Sequence, residues 1–568
     1  MKVFKKAIVM ILAVIMTMSV CGCGNKTSGG TTAINIMNVG GGIGRVWLDE
    51  AIVRYKENNP GVIINIEHNI NTGVATMASS GYNIYFVEED TNILDLAASD
   101  KLMNITDIVT EKVEEAPGVE KSIEDKITTD YRFALQGGDG NYYALPHYSY
   151  IPGLTYDAEL FDELGLYFAD YTLPENEVNV WSCDFGTAKF VKNSSTKKSV
   201  GNDGTYGTAD DGLPSTFVEF LCLCDYMAND RGAIPFELNG RSNHYISYLI
   251  RGIWNSLSGY DVMKRTYTYD GEMEIVTGFA DESLFPNTNV KKPITEKVQL
   301  TESTGYLAYD NVNRYYATAL VEIAVSRGWF SSDAESNASH IDAQTKFVFG
   351  DAASNGKSYA MLIEGNYWFN ESSDNEVFDN YYLYTNRDAS TNPRNIKWMP
   401  LPTGYNTPVT KESEARENSN INANLSFAFI NNNIKENTAL VGECKKFLQF
   451  LYSDAELSHF VGNTGVMRTG LEYEVLSEDY NKLSDFQKSV VDIYKNNRLL
   501  SGTADNKTFK NHSTALTITG NSVILEPRLD GIHYNNYFRA IKAGYSAKAI
   551  FETTKINQEK WSTSYYEE

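Results

Sequence analysis

The sequence predicts an α/β protein in two lobes, each a mixed, mostly parallel sheet flanked by helices, with a hinge between them. Three observations carry that expectation. Residues 33–67 read as strand, glycine turn, helix and strand. Tyr143–Phe161 (YALPHYSYIPGLTYDAELF) reads as an extended crossing into a fresh strand–helix unit, and the alternation beyond it is broken by two long excursions. A (β/α)8 barrel would repeat its units regularly, and this chain does not. At 568 residues there is length for one large two-lobed core or two to three domains. A hydrophobic content of 42% and a mean hydropathy of −0.34 are those of a folded soluble chain. The net charge of −24 argues against nucleic acid or an anionic membrane surface as the main partner. The 37 tyrosines could stack on sugar rings or simply fill the core and its rim.

Taken in order, the chain opens on Lys2, Lys5 and Lys6, then an apolar run over Ala7–Val20 that is too short for a mature membrane span. Val20-Cys21-Gly22-Cys23 and a polar spacer follow. This resembles the bacterial lipobox. The resemblance implies a signal peptide over 1–22, diacylation (palmitate-type) of Cys23, and a flexible spacer over 23–32. The mature chain would then be lipid-anchored on the extracellular face of the cell membrane. The alternative is a plain secretory signal cut nearby. Beyond these lie Cys183, Cys222, Cys224 and Cys444; Cys222 and Cys224, two apart on one helix, are expected to be small core residues. No cysteine or histidine spacing suits zinc, which disfavours a metal-centred enzyme.

Ala33–Asn38 reads as the first strand and ends in Gly40-Gly41-Gly42. Gly44–Asn59 is an amphipathic helix with Trp47, Leu48, Ala51, Ile52 and Tyr55 on one face, stopped by Pro60-Gly61, and Val62–Glu67 is the next strand. No GK[ST] follows the glycines, so a phosphate cradle is disfavoured. Gly81–Val87 is a further strand, with Glu88, Glu89 and Asp90 at its carboxyl end. In an open α/β sheet those carboxylates would face the crevice and could bind hydroxyl groups; a solvated acidic turn is the alternative. In the crossing, Pro152-Gly153 marks a kink, and Asp157 stands at a helix N-cap before Ala158–Phe161.

The crossing resembles the first inter-lobe passage of the extracellular solute-binding lipoproteins of carbohydrate ABC transporters (family 1, maltose-binding-protein-like), where an LPY…GL.YNKDLF pattern recurs. Further stretches carry the same resemblance: Leu102–Asp107, GNDGTYGTADDGLPSTFVEF over Gly201–Phe220, Tyr359–Phe369, Trp398–Pro402, and the returning segments Asn424–Ile430 and Asn463–Arg468. It spans nearly the whole mature chain, mostly through short motifs. It implies a type II periplasmic-binding-protein-like fold, with an N-terminal lobe over 33–147 plus about 424–468 and a C-terminal lobe over 148–423 plus about 469–568. It also implies a cleft lined by Gly41, Gly42, Glu88, Glu89, Asp90, Tyr148, Tyr245, Trp254 and Glu364. One aromatic after Gly365, at Tyr367, Trp368 or Phe369, would stack on the sugar. Arg468 would bridge the lobes or reach the cleft.

Asp203, Asp210 and Asp211 crowd one glycine-rich loop, and such a cluster could hold a structural Ca²⁺ or simply close tight turns. No other cofactor is implied. The function implied is capture of an oligosaccharide between the lobes and its delivery to ABC permease subunits by a monomer that is not an enzyme. The alternative is a surface-anchored carbohydrate-active enzyme, a glycosidase, because sugar hydrolysis also uses acids and aromatics. No GxSxG, HExxH or P-loop is present.

Overall fold

The computed structural model describes residues 32–68, 77, 79–87, 93–148, 150–352, 356–422, 426–501, 527–534 and 536–563. Cys23 and Glu88, Glu89 and Asp90 lie outside them.

Strand β1 (Thr32–Asn38) buries Ile34, Ile36 and Met37. Helix α1 (Val46–Asn58) follows, burying Trp47, Leu48, Ala51, Ile52 and Tyr55, the stripe its periodicity requires. The strands β2 (Val62–His68) and β3 (Ile84–Val87) pair in parallel with β1, one on each side. The short strand β4 (Leu145–Pro146) ends this first pass. Five residues intervene before β5 (Pro152–Asp157), which belongs to a different sheet.

Asp157 caps α2 (Ala158–Leu164), its Oδ1 accepting from the N–H groups of Glu159 and Leu160, each at 3.1 Å. The apolar helix α3 (Phe217–Tyr226) starts on a capping box between Thr216 and Glu219. Then come β6 (Ile234–Glu237), α4 (Asn243–Thr268, kinked where Gly259 has φ of 70°), α5 (Val312–Ser326) and α6 (His340–Phe349). Strand β7 (Tyr359–Gly365) leads directly into α7 (Trp368–Asp374), and β8 (Ile396–Trp398) completes the second sheet in the order β6–β7–β5–β8.

The chain then returns. Strand β9 (Phe427–Ile430) inserts between β3 and β4, antiparallel to both, giving the first sheet the order β2–β1–β3–β9–β4. Helices α8 (Thr438–Leu451) and α9 (Asp454–Thr464) cover that sheet, and α10 (Asp485–Asn496) packs on β8. Each sheet has its own hydrophobic core. A third cluster, with Ile151, Phe347, Trp368, Val461, Met467 and Phe486, joins the two at the crossings. Among the described residues, no helix is long and apolar enough to cross a membrane.

Candidate functional site

Strand β7 runs its carboxyl end up to the junction of the lobes and stops there with Glu364 and Gly365 buried. Asn366 then fastens the turn to the crossing. Its backbone N–H donates to the Ile151 carbonyl at 3.2 Å, and its Oδ1 accepts from the Ile151 N–H at 2.9 Å. This places Tyr367 beside Tyr150 of the crossing, with ring centroids 5.1 Å apart in a T-shaped pair. The first turns of α4 add Tyr245 and Tyr248. The Tyr248 hydroxyl donates to that of Tyr150 at 3.1 Å and lies 3.4 Å from that of Tyr367, while Tyr245 meets Tyr248 edge-on.

Two carboxylates lie against this tyrosine cluster. The Gln344 amide of α6 donates to Glu364 at 3.2 Å and to Glu371 at 3.1 Å, and its own oxygen accepts from Ser372 at 2.8 Å. His340 Nε2 stands 3.7 Å from Glu371. Burial pushes the Glu371 carboxyl up to about 7, against the Gln344 hydrogen bond and helped by Asp374. Burial and the neighbouring Glu371 hold Glu364 well above the usual carboxylate range. Two acids sharing one amide in a dry site do not both ionise readily, so the pair retains a proton near neutral pH.

The first lobe meets this surface with backbone. Gly42 has φ of +79°, and a β-carbon there would stand 2.6 Å from Tyr367 Cδ2 and 3.1 Å from Glu371 Cγ. The Tyr148 hydroxyl donates to the Gly41 carbonyl at 2.5 Å, fixing the loop from behind. Only glycine satisfies both the positive φ and the close approach.

Gly41, Gly42, Tyr148, Tyr245, Glu364 and Tyr367 thus come together from the expected set. Three expected residues do not join them. Trp254 is fully buried and donates to Asn311 at 3.0 Å. It lies nine positions beyond Tyr245, and at about 3.6 residues per turn that puts it on the opposite face of the helix. Trp368 is also fully buried, donating to Thr155 Oγ1 at 2.8 Å between Phe347 and Phe486, so it is a core residue. Arg468 is 1% exposed, donates to the Tyr452 hydroxyl at 2.9 Å, and is boxed by Trp47, Tyr452 and Phe460. Its role is internal to the first lobe. Tyr150, Tyr248, Gln344 and Glu371 also stand here and are not among the residues expected from the sequence. Tyr248 is the i+3 neighbour of Tyr245 and Glu371 the i+4 neighbour of Tyr367, a spacing that pointed to both; Gln344 carried no signal.

In the aspartate loop each carboxylate closes a turn. Asp210 accepts from the Asn202 N–H at 2.6 Å and from Thr208 Oγ1 at 2.8 Å. Asp203 accepts from the Thr205 N–H at 2.8 Å, and Asp211 from the Gly207 N–H at 2.7 Å. Among the described residues, the one group of three or more His, Cys, Asp or Glu with ligand atoms within 4.8 Å of one another is His459, Glu478 and Asp479. There Lys482 already sits 2.8 Å from Asp479.

Two lobes, a chain that crosses between them and returns, and a site where they meet define the class: this is the fold of the two-lobed solute-binding proteins. Among solved structures, a chitin oligosaccharide binding protein matches at 12% identity, TM-score 0.52, over 94% of this chain and 99% of that one. The ligand-free form of RafE from Streptococcus pneumoniae matches at 10% identity, TM-score 0.52, over 95% and 100%. A mannobiose complex of the ABC transporter binding protein BlMnBP1 from Bifidobacterium animalis subsp. lactis matches at 12% identity, TM-score 0.50, over 94% and 95%. No protein-family model and no curated protein matches the chain.

Proposed function

We propose that this chain is an extracellular, lipid-anchored solute-binding protein that captures an oligosaccharide between its lobes and delivers it to an ABC transporter permease. The observation that carries this reading is the tyrosine cluster, Tyr150, Tyr245, Tyr248 and Tyr367, set beside a carboxylate pair and faced by a backbone-only loop from the other lobe. Tyrosine faces cover the apolar sides of pyranose rings, and their hydroxyls, with Glu364, Glu371 and Gln344, pair with sugar hydroxyls. Unpaired polar groups would reject a sugar lacking the matching hydroxyl. Contact with both lobes exists only when they close, so the ligand would shift the population toward the closed form. The sugar ligands named for two of the structural relatives support the ligand class. The anchor rests on the Val20-Cys21-Gly22-Cys23 motif.

Calorimetric titration of the purified protein against an oligosaccharide panel, run beside thermal melting, tests this. Tyr367→Ala removes a ring that adds contact area, and binding hot spots cost ~2 kcal/mol or more, about a thirtyfold loss of affinity. The expected result is that loss in a variant that stays folded. Trp368→Ala should instead lower stability by about 3–5 kcal/mol, as for other buried tryptophans. No binding by any oligosaccharide would overturn the ligand class. Shorter products after prolonged incubation would replace binding by hydrolysis.

A further inference from the structure

We propose that Cys183 and Cys222 form a reversible cross-linking site, a thiol pair that a low-molecular-weight disulfide oxidises to an intrachain disulfide. Cys183 ends the strand Val178–Cys183 of a hairpin whose second strand is Gly186–Val191, and Cys222 lies within α3, which packs on that hairpin. The two are free thiols with their sulfurs 3.5 Å apart. A disulfide needs about 2.05 Å. Closing that gap requires rotation of one or both cysteine side chains.

The two sulfurs differ in access and acidity. Cys222 is 1% exposed, whereas Cys183 is half-buried and lines a surface recess of about 340 Å³ with Ser182, Asp184, Asp225, Asn229 and Arg327. That recess is large enough to admit a small disulfide. The Cys222 contact lowers the Cys183 thiol from its ordinary value, and the backbone N–H groups of Phe185 and Gly186 add to this against the effect of burial. The same contact and burial push Cys222 up. Cys183 is therefore the attacking thiolate and Cys222 the resolving thiol.

The steps balance. The Cys183 thiolate attacks one sulfur of the external disulfide, the external S–S bond breaks, and one thiolate leaves and takes up a proton. Cys222 then gives up its proton and attacks the Cys183 sulfur, which expels the second external thiol and forms the internal bond. Two protein thiols are oxidised and one external disulfide is reduced to two thiols.

Oxidised glutathione is the probe. The purified protein is incubated with it, unfolded, alkylated and digested for mass spectrometry. Expected is a peptide pair joined through Cys183 and Cys222, reversed by dithiothreitol, lost in Cys183→Ser and kept in Cys224→Ser. In Cys222→Ser the exchange should stop with glutathione held on Cys183. Alkylation of both Cys183 and Cys222 after oxidation would overturn the proposal, as would glutathione persisting on Cys183 in the wild-type chain.

Discussion

At position 42 the close contact between the lobes depends on a missing side chain. Gly42→Ala adds a β-carbon 2.6 Å from the Tyr367 ring at a φ of +79°. The expected result is a roughly tenfold loss of ligand affinity, about 1.4 kcal/mol, with the free protein still folded. Unchanged affinity on titration would mean that the lobes do not close through this loop. The carboxylate pair gives a second test. Glu371 titrates at about 7 in the fold against an ordinary 4.5, so between those values the folded state holds a proton that the unfolded chain has lost. Stability from this group is therefore full at low pH and is lost as pH rises through about 7. Glu371→Gln should melt above wild type at pH 8, with the gap closing toward pH 5; a pH-independent gap would refute the shared proton. Tyr367 and Trp368 show why single residues were hard to read. Both are aromatic and adjacent, and only the start of α7 between them decides which enters the junction. Trp254 and Arg468 have the composition of ligand residues, but packing partners distant in sequence bury them.

Among the elements, local signals carried far. The apolar stripe of α1 and the cap at Asp157 were legible because both depend on neighbours within a few residues. Asp157 and Glu159 also meet Arg394, at 2.8 and 2.6 Å, which pins the start of α2 to the segment before β8; that partner lies too far along the chain to be read from sequence. The aspartate loop is the element whose chemistry the sequence left open. With each carboxylate engaged by backbone or threonine donors, its role is expected to be turn closure. Asp210→Ala should lower stability by about 1–3 kcal/mol, because it leaves buried N–H groups without acceptors. A chelator should leave the wild-type melting curve unchanged; a fall in melting temperature restored by Ca²⁺ would assign the loop to the metal instead.

For the molecule as a whole, the two-lobed plan was legible in the alternation of strands and helices and in the crossing at Tyr143–Phe161. The strand order was not, because β9 enters the first sheet after an excursion of more than two hundred residues and its pairing depends on tertiary contacts. The proposed anchor is tested at this scale. Cys23→Ser should move the protein from the membrane fraction to the medium, and retention on membranes would refute acylation at that position. The junction has a further consequence for how such a chain can change. Among the described residues, the first lobe offers its glycine backbone to the site, while the rings and acids come from the crossing and the second lobe. A loop that contributes shape and no side chain is indifferent to the identity of whatever ligand the junction takes. Ligand choice can then drift, or be engineered, by exchanging residues on α4, α6 and the β7–α7 turn, while the Gly41-Gly42 backbone opposite them stays constant.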